Sequence, residues 1–568
     1  METMRYAALK VLIDREDQTG QQTARRILLA RIEERCASGA GQTDPVLCIY
    51  LSVKPVSTVE SYCIETGEDG CIRIAGHDDR GLMYGVGKFL RTSCYDGGLF
   101  RASDWRGQSS PRCRIRGMYL ASHYYNWYHV APESELIRYI EDLALWGVNA
   151  IAVVFPFINL DSWQDPQAGT AVRQVQKLLT AARNTGLMTS LLVVPNSQFM
   201  NTPAELRAVP NPDPTGRRGN SGVNVCPSQT GAKELILDNY DRLFGCLQES
   251  GIDLLGLWPY DEGGCACPDC FPWGVNGYLK ISREVVLLAK KHFPAVQVYL
   301  STWCYDTPEE GEWAGLCRSL ETGERWIDFI MADGHEDFPA YPLAHGIPGS
   351  LPLLNFPEIS MWGLSPWSGF GANPLPERFQ RLWNQARHLL DGGFPYSEGI
   401  YDDINKVLVT QLYWQPDKPW RDILSEYIAY EYAPAVVSSI LEVIVLIERN
   451  HVAAACSQSV RLNEARCAYD LVMEANAILP DWAKTAWRWR ILLIRTFLDL
   501  ERYRLVAEAG PGPGPKTSWN WGEMLIGNSE AQNAFRELIG IYHARLEDDT
   551  AKHRIVRPPL HTAKPQIK

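Results

Sequence analysis

At 568 residues the chain is longer than one hydrophobic core usually serves, so two or three domains are expected. Its 46% hydrophobic and 21% charged residues are those of a folded protein, not a disordered one. A formal charge of -12 excludes nucleic acid as a main partner, because phosphate binding requires a basic surface.

The amino terminus, METMRYAALKVLIDREDQTG, has no long apolar core and meets acids early, so it does not read as a signal peptide. The most apolar later run, AVVSSILEVIVLIERN, is interrupted by Glu442 and is too short to span a bilayer. Fifteen irregularly spaced cysteines, in a chain without an N-x-Ser/Thr acceptor, fit reduced thiols or metal ligands better than a disulfide framework. These features predict a soluble, cytoplasmic protein with no membrane partner. The 19 Trp and 25 Tyr are in excess, and serve either a core or the flat apolar faces of sugar rings.

Residues 1–110 mix strand-like runs (MRYAALKVLI, VLCIYLSV) with the helical QQTARRILLARIEERC, as a small α/β domain would. SYCIETGEDGCIRIAG predicts two alternating strands around a Glu-Asp-Gly turn, and HDDRGLMYGVGKFLRT a helix. The glycines at 81, 85 and 87 are in the wrong order for a GxGxxG nucleotide loop.

From residue 111 to 414 short buried-strand runs alternate with helix-patterned stretches. Eight strands can be counted: IRGMYLAS, NAIAVVF, MTSLLVVP, IDLLGLWP, VQVYLST, WIDFIMAD, LPLLNFP and GGFPYSE. Eight strands in β-then-α order predict a (β/α)8 TIM barrel rather than an open doubly wound sheet, which rarely runs to eight strands. Residues 415–568 read as helical throughout, apart from the break GPGPGPKTSWNWG. The apolar faces of this carboxy-terminal domain must pack on the barrel or on a second copy in a homodimer.

Active groups of such barrels sit at the carboxyl ends of the strands. The stretch WPYDEGGCACPDC, residues 258–270, places Asp261 and Glu262 at the end of the fourth strand. Neighbours on an extended segment point in opposite directions, so the two acids cannot both straddle one glycosidic bond. One can serve as general acid while the other acts elsewhere on the substrate; the alternative is two solvated loop carboxylates. Further candidates at strand ends are Arg116 and His123 on the first, Trp303 and Tyr305 on the fifth and Asp333 on the sixth. The seventh leads to Glu358 and Trp367, and the eighth to Glu398, Asp402 and Asp403. Acids and indoles at one rim suit a neutral polyhydroxyl ligand such as an oligosaccharide or glycoside.

A small α/β domain ending in GLMYGVGKFLR, a barrel opening with RGMYL and an Asp-Glu pair after the fourth strand resemble glycoside hydrolase family 20. Those enzymes are exo-acting β-N-acetylhexosaminidases, and family 67 α-glucuronidases share a similar amino-terminal domain. The resemblance covers roughly the first 410 residues. It implies that Glu262 is the general acid/base and that Asp261 orients a substrate 2-acetamido group, which attacks the anomeric carbon. It also implies that Arg116 binds ring hydroxyls and that Glu398 binds the outer hydroxyls. The chain departs from the family where Leu-Trp-Pro-Tyr replaces His-x-Gly-Gly before the acids, and where Ala121 stands in place of an acid. An inverting exo-glycosidase such as an α-glucuronidase is one alternative, with Arg116 serving the uronic carboxylate. A catalytically silent carbohydrate-binding protein is another.

Cys265, Cys267 and Cys270 follow the acids, and Cys226 lies on the loop after the neighbouring third strand. Four thiolates from adjacent loops suit a closed, tetrahedral, structural zinc site; reduced thiols and a redox or iron–sulfur role are the alternatives. A metal there would pin the loop that aims Glu262.

Overall fold

The computed structural model describes residues 8–36, 46–96, 99–123, 126–211, 222–260, 263–305, 311–323, 325–360, 367, 372–452, 458–508 and 527–542. Strands Ala8–Ile13, Val46–Val53, Ile72–Gly76, Tyr62–Thr66 and Gly107–Ser109 lie side by side in that order as one sheet. The hairpin around the Glu-Asp-Gly turn pairs Tyr62 with Gly76 and Thr66 with Ile72. Helix Asp79–Thr92 starts at Asp78, whose side chain accepts from the Gly81 N–H at 2.8 Å. Its glycines serve packing. A Cβ at Gly81 would lie 2.3 Å from the Ser61 carbonyl oxygen, and one at Gly87 would lie 2.1 Å from that of Leu145.

All eight barrel strands form where the sequence predicts them. In order they are Ile115–Leu120, Ala150–Val154, Met188–Val193, Leu254–Leu257, Gln297–Ser301, Phe329–Asp333, Leu353–Phe356 and Leu390–Gly393. Each pairs in parallel with the next, and the eighth closes on the first through Gly392 opposite Ile115. The result is a closed (β/α)8 TIM barrel. Its interior is packed: Tyr299 and Phe394 stack at 4.9 Å, and Gly117 and Gly256 leave room for those two rings. With Gly117 facing Phe394, its neighbour Arg116 must point outward. The sixth strand is followed only by the short helix Ala340–His345 and a 3-10 turn, Pro348–Ser350.

After the last barrel helix, Asp403–Trp414, the described residues are mostly helical, with long helices at Val437–Val452, Gln458–Ile478 and Trp487–Glu508. Their apolar faces pack on the barrel and on one another, and buried polar contacts fix the seam. Glu448 caps helix Pro376–Ala386, accepting from the N–H groups of Glu377 and Arg378 at 3.0 and 2.9 Å. Arg488 reaches Asp403 at 2.7 Å and Asp142 at 3.2 Å. From the amino-terminal helix Thr19–Glu33, Arg31 meets Glu141 and Asp142, each at 2.9 Å. Arg35, just beyond that helix, meets Glu431 at 3.2 Å. No helix among the described residues is long and apolar enough to cross a membrane.

Candidate active site

The carboxyl ends of the strands are lined by aromatic rings in mutual contact. Trp258, at the end of the fourth strand, stacks on Trp303 from the fifth at 5.3 Å and meets Phe356 from the seventh at 4.7 Å. His335, from the sixth, lies 4.3 Å from Trp303 and 5.5 Å from Phe356. Tyr119 joins Phe356 to Tyr396 and stacks on His123, whose Nδ1 is 3.1 Å from the Tyr119 hydroxyl. Burial lowers the pKa of His123 to about 3, so its imidazole is neutral at physiological pH. Polar tips on flat rings suit a ligand with apolar ring faces and hydroxyl edges.

Carboxylates border this wall. Asp333 accepts from the His335 N–H at 2.9 Å and lies 3.0 Å from its Nδ1. Glu358, buried, accepts from the Ser360 N–H at 2.6 Å. Glu398 is partly exposed and accepts from the Tyr396 hydroxyl at 2.7 Å. Burial raises the Glu398 pKa to about 7, against the hydrogen bond from Tyr396 and reinforced by the charges of Glu358 and Asp402. Asp402 accepts from the hydroxyls of Ser360 and Ser397 and pairs with the buried Lys406 at 2.7 Å. Ser360 also accepts from the Glu398 N–H at 2.9 Å, so Asp402 and Ser360 hold the Glu398 backbone in place.

Of the residues singled out in the sequence, His123, Trp303, Asp333 and Glu398 therefore share one mouth. Four others do not belong to it as ligand contacts. Arg116 is fully buried and faces the amino-terminal domain, where it pairs with Glu60 and donates to the carbonyls of Gly147 and Cys113. Trp367 is buried against the helical domain, its indole N–H 2.8 Å from Asp499. Asp403 is consumed by Tyr139, Tyr427 and Arg488 at that same seam. Tyr305 donates to the Gly274 carbonyl at 2.6 Å, bracing the loop after the fourth strand. Asp261 and Glu262 lie outside the described residues. Tyr119, Trp258, Phe356 and Tyr396 complete the wall, and each lies at or just beyond the end of a counted strand.

Both flanks of the Asp261-Glu262 pair are anchored. Upstream, the Pro259 carbonyl accepts from the Trp273 indole at 2.6 Å and the Tyr260 hydroxyl donates to Glu312. Downstream, Gly264 has φ of +139°, a conformation that favours glycine, and is gripped by Asn196. The Asn196 side chain donates to the Gly264 carbonyl at 2.8 Å and accepts from its N–H at 3.2 Å. It also donates to the Val225 carbonyl at 3.0 Å, joining the loops that follow the third and fourth strands.

Cys226, Cys265, Cys267 and Cys270 converge there. Their four sulfurs lie within 4.8 Å of one another, all on buried residues, with Cys226 at 3.6 Å from Cys267 and 4.0 Å from Cys270. A tetrahedral zinc with bonds of about 2.3 Å needs sulfurs about 3.8 Å apart, so the donor set and its dimensions fit that ion.

No protein-family model matches the chain, and no curated protein matches it. Solved structures do. A family GH115 4-O-methyl-α-glucuronidase with specificity for decorated arabinogalactans aligns over 95% of this chain and 76% of its own, with 12% identity and a TM-score of 0.60. The GH20 β-N-acetylhexosaminidase of Streptomyces coelicolor aligns over 76% of this chain and 93% of its own, with 14% identity and a TM-score of 0.53. A family 89 protein of Clostridium perfringens, solved with its substrate GlcNAc-α-1,4-galactose, aligns over 92% of this chain and 64% of its own, with 12% identity and a TM-score of 0.60. The likeness is one of fold.

Proposed function

We propose that this protein is an exo-acting glycoside hydrolase that cleaves a terminal N-acetylhexosamine or related sugar with retention, by substrate-assisted catalysis. The observation that carries the reading is the aromatic and carboxylate mouth at the strand ends, which holds Trp258 at the end of the fourth strand, three residues before Asp261 in the sequence. In this scheme Glu262 protonates the leaving oxygen. Asp261 orients the substrate's 2-acetamido group, whose carbonyl oxygen attacks the anomeric carbon to give a cyclised intermediate. Glu262, now a carboxylate, then deprotonates the water that opens it. Glu398 accepts from the outer hydroxyls of the terminal sugar, and the rings of Trp258 and Trp303 form an apolar wall beside it.

The similar structures lend support from their own chemistry, since one is named a β-N-acetylhexosaminidase and another holds a GlcNAc-terminated disaccharide. The α-glucuronidase alternative leaned on Arg116 to receive a uronic carboxylate, and Arg116 is buried elsewhere against Glu60. An inverting mechanism keeps one argument in its favour: the carboxylates Glu358 and Glu398 at the seventh and eighth strands, either of which could activate water. A panel of chromogenic glycosides, followed by the anomer of the first-formed product, separates the readings. Retained configuration, inhibition by a thiazoline mimic of the cyclised intermediate and loss of activity in Asp261→Asn are expected. Inverted product would transfer the mechanism to the water-activating carboxylates, and binding without turnover of any glycoside would reduce the protein to a lectin-like role.

A further inference from the structure

We infer that Cys226, Cys265, Cys267 and Cys270 bind one zinc ion as a closed four-thiolate site, and that this site locks the loop presenting Glu262. The inference stands on geometry and does not depend on which glycoside is cleaved. The four sulfurs converge from two loops that follow neighbouring strands, and on folding they come within 4.8 Å although Cys226 is 39 residues before Cys265 in the chain. Nothing covalent joins them: all four are free thiols. Burying four unbonded thiols at mutual contact is a poor use of a protein interior, where apolar side chains would pack more densely. A divalent cation explains the arrangement, and soft sulfur donors select zinc over magnesium or calcium.

The surroundings are those of a metal knuckle. The N–H groups of Cys270 and Phe271 turn back onto the Cys267 carbonyl at 3.0 and 2.9 Å, folding Cys267-Pro-Asp-Cys270 into a tight turn. The Ser228 hydroxyl lies 3.3 Å from the Cys270 sulfur, a donor for excess thiolate charge. The Ala266 N–H donates to the Val209 carbonyl at 2.9 Å and the Cys226 N–H to that of Leu206 at 2.9 Å, so the ligand backbone is held on both loops. With no position left for water, the ion has no role as a Lewis acid. Its role is mechanical. Cys265 follows Gly264 directly, Gly264 is gripped by Asn196, and Asn196 also holds Val225, which precedes Cys226. Metal and amide thus fasten the same two strand ends, two residues beyond Glu262.

Elemental analysis of protein purified under reducing conditions tests the site, with close to one zinc per chain expected. Replacement by Co2+ should give the visible and near-ultraviolet bands of tetrahedral thiolate ligation. Protein that is metal-free and takes up neither Zn2+ nor Co2+ overturns the site. So does stoichiometric iron, or a denatured thiol count two short of the 15 cysteines. Cys267→Ser should lose the metal while Cys246→Ser, whose cysteine lies outside the cluster, keeps it; should Cys267→Ser not fold, the cobalt spectrum of the unaltered chain still decides. Limited proteolysis reads the mechanical role. Chelation should expose residues 258–276 to cleavage, and a loop equally resistant with and without zinc would remove the locking function.

Discussion

Glu398 offers a test in which the sign and size of the effect can both be worked out. Its carboxyl is pushed from an ordinary 4.5 to about 7 by burial, with Glu358 and Asp402 adding to the shift. Under the proposed function it must be ionised to accept strongly from sugar hydroxyls. The ionised fraction rises from about a tenth at pH 6 to about nine-tenths at pH 8, so with a neutral acceptor worth about a fifth to a tenth of a charged one kcat/KM should climb about three- to fivefold over that span. A hydrogen bond to a charged acceptor exceeds one to a neutral acceptor by about 1–1.5 kcal/mol. Glu398→Gln should therefore lose about five- to tenfold in kcat/KM at pH 8, lose little at pH 6 and flatten the limb near 7. Stability moves the other way. A carboxyl whose folded pKa is raised favours the fold below its unfolded value of 4.5, and that advantage is lost as pH rises through about 7. The Gln variant should thus gain stability relative to the parent between pH 5 and pH 8. Initial rates on the best glycoside and thermal unfolding at the two pH values would check both. A limb that survives in Glu398→Gln, or a stability difference independent of pH, would refute the reasoning.

Glu262→Gln should lower turnover by about 10²–10⁴-fold for poor leaving groups and much less for activated aryl glycosides, which steady-state rates over a leaving-group series would reveal. Arg116→Met should leave KM unchanged yet cost about 1–3 kcal/mol for each of the buried Gly147 and Cys113 carbonyls it abandons, read by denaturant unfolding, while Glu60 keeps Arg80 and Asn149. Trp303→Phe keeps a ring against Trp258 but narrows the wall, so KM should rise several-fold with kcat nearly constant. Asn196→Ala should cost about 1–3 kcal/mol for each buried backbone group it abandons and should lower kcat more than it raises KM, as measured by denaturation and saturation kinetics.

The barrel was legible because its signal is local: each strand is a short apolar run, and each helix repeats at three and four residues. The cysteine cluster was legible because three ligands are close in sequence and the fourth sits after the neighbouring strand. Arg116, Trp367 and Asp403 misled for the opposite reason. Each stands beside a strand end in sequence, but its side chain is claimed by a partner from another part of the chain: Glu60, Asp499 and Arg488 respectively. Arg116 also occupies the second position of its strand, far from the mouth, and alternates with the inward-facing Gly117. Counting strand ends could have promoted Trp258 and Tyr396, whereas the mutual contact of Tyr119 and Phe356 exists only once the barrel closes.

The ion cluster at the seam bears on how such an enzyme could be trimmed or transplanted. Arg31 enters it from the amino-terminal domain, Arg488 from the carboxy-terminal helices, and the barrel contributes Asp142 and Asp403. A barrel excised at residues 111–414 would keep all eight strands and lose both arginines together. Asp403 would keep Tyr139 but lose Tyr427 and Arg488, and it directly follows Asp402, which holds Ser360 and through it the Glu398 backbone. Catalytic competence would then travel poorly between scaffolds. The segments flanking the barrel supply the counter-ions that keep its eighth strand end in shape, so any swap of modules must carry the arginines along.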